Sequence, residues 1–181
     1  KGMGFCFFNN VAIAAEYAKQ TYQLKRIAIL DFDVHHGNGT EDIILNKLEN
    51  PSDYLFCSTY QYPFYPFEVN ESNTPPIINT PLVATTKSAE FKQAITDNWL
   101  PALHAFKPDI IFISAGFDAH SEDEMSQISL MDSDYRWVTD EIKKIADQYC
   151  NGKIVSVLEG GYAHGALGRS VVAHINGLIG N

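Results

Sequence analysis

The segment DFDVHHGNGT at positions 31 to 40 sets two carboxylates and an imidazole, Asp31, Asp33 and His35, at alternate positions. Alternate side chains of an extended backbone point to the same side. A hard carboxylate beside a neutral imidazole suits zinc, iron, manganese or cobalt, and a catalytic zinc site needs three protein ligands with a fourth position open to water. Asp33 and His35 supply two. The best source of a third is SAGFDAHSED at 114 to 123, where Asp118 lies just past an apolar run. In LEGGY at 158 to 162, two glycines let the backbone turn sharply and approach a ligand, which presents Tyr162 near the same edge.

Each of these motifs follows an apolar stretch, at 26 to 30, 109 to 113 and 153 to 158. Such runs read as buried parallel strands, and open α/β sheets place their ligands at the carboxyl ends of strands. A further strand is expected at 54 to 58. Helical patterns lie between the strands. The first covers 11 to 20, with Asn9 or Asn10 as cap; the second covers 40 to 48. A third runs from Ser88 to Phe106, where Pro101 predicts a kink or break. An amphipathic segment from Asp132 or Ser133 through Tyr149 and a last helix at about 166 to 178 complete the pattern, while 59 to about 76 reads as a loop rich in aromatics and prolines. This alternation predicts an α/β fold: one domain with a parallel sheet flanked by helices.

A length of 181 residues with 45% hydrophobic content fits one domain with a core. The formal net charge of -9 argues against direct nucleic-acid binding, whereas an acidic rim attracts cationic lysine or polyamine substrates. Cys6, Cys57 and Cys150 are odd in number and widely spaced, so reduced thiols are expected rather than disulfides or a zinc knuckle. No stretch reaches the roughly 18 to 20 apolar residues of a membrane span, and no basic leader is visible at the start. The expectation is a cytoplasmic protein without a membrane partner. A targeting signal on the parent protein and a homo-oligomer are both left open.

The blocks GMGFCFFNN at 2 to 10, DFDVHHGNGT, SAGFDAH at 114 to 120 and LEGGY resemble, in order and separation, the zinc-dependent histone deacetylase and acetylpolyamine amidohydrolase superfamily, particularly its class II and bacterial members. The resemblance implies an arginase/deacetylase-like fold with Zn2+ held by Asp33, His35 and Asp118. It implies Tyr162 as the hydroxyl that hydrogen-bonds the acyl carbonyl and its tetrahedral intermediate, with Asp31 and Asn38 as orienting partners. Gly4, Phe5, Phe64 and Tyr65 become candidates for the substrate channel, with Phe5 and Tyr65 as opposing walls around an acyl-lysine. Read without the resemblance, Phe64 and Tyr65 are core anchors. Ser58 resembles a residue that joins backbone oxygens of Asp31, Asp33 and His35 around structural potassium; by residue type alone it satisfies local backbone groups. The implied reaction is metal-assisted removal of acetyl or other acyl groups from acylated lysine peptides or acylated polyamines.

The family's tandem-histidine general base sits upstream of its Gly-Phe-Cys block, and this sequence begins at Lys1. The expectation is therefore the carboxy-terminal part of a single catalytic domain, residues 1 to 181, incomplete at the amino terminus and inactive alone. The usual Asp-Pro-Leu is Asp123-Glu124-Met125 here, a glycine-rich turn is replaced by Pro66-Phe67-Glu68, and Tyr60-Gln61 stands where relatives have His-Gln. These departures leave substrate choice least transferable. Other readings are a catalytically silent acyl-lysine or partner-binding module, a dimanganese ureohydrolase of the arginase type and a haloacid-dehalogenase-type phosphotransferase. The last lacks the expected residue after its second aspartate. His104, His120, His164 and His174 are expected at the surface or beside ligands, Asp109 at a strand-entry turn, and Glu122, Asp123 and Glu124 in a solvated acidic loop.

Overall fold

The computed structural model describes residues 2–67 and 73–181. Six strands form one sheet: β1 (Ile27–Asp31), β2 (Tyr54–Gln61), β3 (Asn73–Thr74), β4 (Ile77–Leu82), β5 (Ile110–Ala115) and β6 (Ile154–Leu158). Their order is β3-β4-β2-β1-β5-β6; every pairing is parallel except that of β3 with β4. Helices α1 (Asn10–Tyr22), α2 (Asn38–Asn46), α3 (Ser88–Ala94), α4 (Leu100–Phe106), α5 (Asp132–Cys150) and α6 (His164–Ile179) connect and flank them. This is the expected α/β class.

Strands β1, β2 and β5 are buried along their whole length, which is why β1 reads as an unbroken apolar run. Ile27, Ile29, Phe56 and Phe112 pack with Val11, Ala15 and Ile44 from α1 and α2. Leu30, Cys57, Ile111 and Ile113 face the opposite way, toward Phe91, Trp99, Val138 and Ile142. Full burial of each such side chain contributes about 1.5–3 kcal/mol. Asn9 caps α1, its side chain accepting from the Ala12 N–H at 2.9 Å. At the strand entry, Asp109 accepts the Lys25 and Arg26 N–H groups and pairs with the Arg26 guanidinium.

Two local expectations change. The loop expected to run to about residue 76 gives way to β2 through Gln61 and then β3 and β4. Pro81 sits in β4 beyond the two residues that β3 pairs, where its missing N–H costs no ladder bond. The helix from Ser88 to Phe106 is not broken at Pro101; α3 and α4 are joined by a π-helical turn over Ile95–Trp99. A widened turn just before proline accommodates a ring that cannot donate an N–H and would crowd the preceding carbonyl. Glu68, in the altered turn singled out by sequence, lies outside the described residues.

Among the described residues β6 is an edge strand of the sheet. Leu158 is 58% exposed, and Val155, together with Val172, Ile175 and Ile179 of α6, also faces solvent. No helix among the described residues is long and apolar enough to cross a membrane.

His104 and His164 are exposed, but His120 and His174 are buried. His174 joins α5 to β6: Nδ1 lies 2.6 Å from Thr139 Oγ1 and Nε2 lies 2.9 Å from Ser156 Oγ, with Phe32 and Phe117 edge-on. Burial lowers its pKa from 6.5 to about 4. An unfolded chain then binds a proton that the folded chain refuses, so the stability from neutral His174 is complete above 6.5 and lost as pH falls toward about 4. Denaturant unfolding of the intact protein across this window should show a loss on the order of 3 kcal/mol. That slope should be largely removed in His174→Gln; an unchanged slope would assign the acid sensitivity elsewhere.

Candidate metal centre

The parallel register aligns three strand ends. Asp31 closes β1 between Ser58 of β2 and Ser114 of β5, while Ala115 lies beside Leu158 of β6. Asp33, Asp118 and Gly160 therefore emerge together, just past β1, β5 and β6. Backbone donors from one strand end hold the carboxylate of another: Val34 N–H donates to Asp118 Oδ1 at 3.0 Å, and Gly160 N–H to Asp33 Oδ2 at 2.8 Å. Two local turns orient the first motif. Asp31 Oδ1 accepts the Asp33 N–H at 3.1 Å, and Asp33 Oδ1 accepts the His35 N–H at 2.9 Å.

Ligand-type atoms of Asp33, His35 and Asp118 all lie within 4.8 Å of one another. His35 Nδ1 is 2.9 Å from Asp33 Oδ1 and 3.2 Å from Asp118 Oδ2. The latter contact lacks hydrogen-bond geometry, so the buried Asp118 Oδ2 has no hydrogen-bond partner. A buried carboxylate oxygen left in this state carries a large desolvation cost. Burial and the neighbouring Asp33 raise the Asp118 pKa. Asp31 is raised by burial and then by Asp33, and Glu159 likewise. Burial would lower His35, but its close contacts with the Asp118 and Asp33 carboxylates outweigh it and lift the imidazole to about 10. The cluster therefore draws in positive charge, and one nitrogen with two carboxylates is a donor set that fits a zinc-like divalent cation.

Glycine makes the approach of β6 feasible. A Cβ on Gly160 would overlap Asp118 Oδ2 and lie 2.6 Å from Asp33 Oδ2. Gly161 adopts φ 140, a conformation that side chains disfavour, and a Cβ there would meet Leu167. Tyr162 follows, partly exposed. Burial, then the nearby charges of Asp118 and Asp33, push its phenol up to about 12, which keeps the hydroxyl proton in place for donation.

Of the aromatic residues singled out by sequence, Phe64 stacks on His35 with ring centroids 5.5 Å apart, and Tyr65 meets the same imidazole edge-on at 6.0 Å. Gly4 and Phe5 lie in a turn with positive φ. Phe5 is 88% exposed and makes no ring contact with Tyr65 among the described residues. Asn38 begins α2 and its amide donates to Met3 Sδ at 3.8 Å. Ser58 is fully buried and its Oγ has no hydrogen-bond partner. Tyr60 meets His36 edge-on, and Gln61 accepts the Gln127 N–H.

One residue that sequence reasoning misjudged stands beside the site. Asp123 is buried, not part of a solvated acidic loop; its carboxylate accepts the N–H groups of Tyr162, Ala163 and Met125. The only local sign of this is its placement two residues before Met125, a spacing compatible with an Asx turn. His120 is buried as well, with Nδ1 accepting the Glu122 N–H and Nε2 3.2 Å from Asp132 Oδ1.

The histone deacetylase domain profile matches residues 1–178. The chain is 42% identical over 193 residues to type-2 histone deacetylase 2 of Dictyostelium discoideum, covering 97% of this chain and 11% of that protein. It is 40% identical over 184 residues to the chloroplastic histone deacetylase 14 of Arabidopsis thaliana, covering 98% and 43%. The crystal structure of the HDA15 HD domain superposes with a TM-score of 0.88 at 32% identity, covering 99% of this chain and 51% of that one. The chain thus spans about half of that domain structure, and less than half of each of these two relatives.

The glycine cradle predicts opposite outcomes at two positions. Gly160→Ala should destabilise the intact protein by about 1–3 kcal/mol through overpacking against the carboxylates. Gly168→Ala, at an exposed helical position with open space, should be neutral or stabilising by up to about 1 kcal/mol. Denaturant midpoints for the pair measure the difference; equal shifts would remove the cradle from the account.

Proposed function

Because this chain belongs to the histone deacetylase domain family, we propose that it supplies the metal-holding and oxyanion-stabilising part of a zinc-dependent deacetylase. Its substrate class is acylated lysine side chains or acylated polyamines. The observation that carries this reading is the buried Asp118 Oδ2, which accepts no hydrogen bond, gathered with Asp33 and His35. Those three residues would hold Zn2+, which when bound supplies Lewis acidity toward the acyl carbonyl and makes water a better nucleophile. Backbone N–H groups of Val34 and Gly160 keep the two carboxylates oriented. Tyr162 keeps its proton and donates a hydrogen bond to the carbonyl oxygen as negative charge builds there. Phe64 and Tyr65, packed on the His35 imidazole, form an apolar wall suited to a substrate's methylene chain. Ser58 Oγ, buried without a partner beside Asp31, supports a structural potassium ion at that strand pair.

Hydrolysis also needs a proton acceptor. Of six histidines only His35 belongs to the cluster; His36, His104, His120 and His174 have other partners, and His164 is exposed. On this reading the general base is a residue other than these histidines, in the position upstream of the Gly-Phe-Cys block that the family resemblance implies. The same observation favours a second reading, a deacetylase-like module that binds acylated lysine without turnover. Residues 1–181 alone should show negligible deacetylation, by about 10²- to 10⁴-fold or more relative to the intact protein, because general acid-base assistance is missing. Robust chelator-sensitive hydrolysis by the isolated chain would overturn this assignment of the base. Turnover by the intact protein separates the enzyme from the binding module, and kcat/KM for acetylated peptides against acetylated polyamines separates the substrates. The unpaired cysteines suit a reducing compartment, whether cytoplasm or plastid stroma.

Two substitutions in the intact protein divide the roles. Asp118→Ala should abolish stoichiometric zinc while circular dichroism stays native. Tyr162→Phe should retain zinc and lower kcat on the order of 10²- to 10³-fold. Unchanged zinc affinity in the first, or kcat within about threefold of wild type in the second, would remove that residue from the mechanism.

A further inference from the structure

The geometry points to Asp123 as the positioning residue that fixes Tyr162, an inference that rests on the oxyanion role given to Tyr162 above. Tyr162 follows two glycines, one at φ 140, so the turn alone leaves its backbone poorly constrained. Asp123 Oδ2 accepts the Tyr162 N–H at 2.7 Å and the Ala163 N–H at 3.0 Å, while Oδ1 accepts the Met125 N–H at 3.0 Å. A carboxylate bonded to successive amides holds the peptide plane between them, and the Tyr162 ring leaves the backbone at that plane. Such charge-assisted bonds are about twice as strong as neutral ones.

Two further observations agree. Ala163 caps α6 but has no side-chain cap, and the first turn of α6 carries no acidic residue. Asp123 brings a negative charge to that helix start from another segment, where the helix dipole favours it. The segment is itself anchored. Asp123 N–H donates to His120 O, Ser121 N–H to Leu130 O, and Glu122 pairs with Arg169 of α6. Asp118 lies five residues before Asp123 in this same segment. The strand end that carries one cluster carboxylate therefore also holds the phenol that works beside it. Asp123 touches no reacting atom. It acts through Tyr162.

The test is a double-mutant cycle in the intact zinc-loaded protein with Asp123→Asn, Tyr162→Phe and the double variant, together with hydrogen exchange at the Tyr162 and Ala163 amides. Asp123→Asn keeps the size of the side chain but gives up the carboxylate that both amides share. It should lower kcat by about 10-fold or more, with KM and zinc content within about twofold, and should cost almost nothing further in the Tyr162→Phe background. Exchange at both amides should accelerate by about 10-fold or more in either background. Equal losses of kcat with and without the Tyr162 hydroxyl, or unchanged exchange, would overturn the inference. If Tyr162→Phe alone leaves kcat intact, the oxyanion reading fails, and the exchange rates still decide whether Asp123 holds the turn. Should Asp123→Asn not fold, Asp123→Glu retains the charge one methylene displaced, and the same cycle and exchange measurements apply.

Discussion

Two carboxylates held within a few ångströms of each other in a poorly solvated place repel, and the rest of this structure is arranged around keeping Asp33 and Asp118 there. Neither is held mainly by its own strand. Asp118 takes an N–H from the segment after β1, and Asp33 takes one from the turn after β6. Each strand end thus needs its neighbour in register before its carboxylate is satisfied. A shift of one residue in β1 would carry Asp33 and His35, which follow the strand directly, out of place together. The apolar burial of β1, β2 and β5 secures that register at a distance from the chemistry.

The unmet requirement at the centre is positive charge. Backbone donors satisfy both oxygens of Asp33 and one of Asp118, and His35 approaches both side chains, yet Asp118 Oδ2 still has no hydrogen bond. Burial raises its pKa because water no longer supports its charge. A site of this kind is stable in proportion to the cation it holds, so binding at the cluster and rigidity of three strand ends are linked in one equilibrium.

Sequence conveyed the cluster because each member stands a fixed, short step past an apolar run, and parallel sheets bring such positions together. It conveyed the α/β alternation for the same reason. It did not convey β4, whose Pro75-Pro76 approach, internal Pro81 and polar Asn79-Thr80 all resemble loop chemistry; only pairing with β2 makes that segment a strand. Pro101 signals a break, but burial of Trp99 and Leu103 on the same side keeps the helix continuous through a wider turn. Asp123 was hidden inside an acidic run, and its amide partners Tyr162 and Ala163 lie 39 and 40 positions away. Burial of His174 depends in the same way on Thr139 and Ser156. Where a role depends on local spacing it could be read; where it depends on what another segment brings across, it could not.

The bonds that close the cluster also place it late in folding. Val34 N–H reaches Asp118 across 84 positions and Gly160 N–H reaches Asp33 across 127, so each closes a large loop whose chain entropy is lost before the contact returns anything. Strands can pair and cover their apolar faces while the two carboxylates still lie apart. The chemistry of this chain is thus the last part of its structure to be assembled and the first to be given up when the strand ends fray.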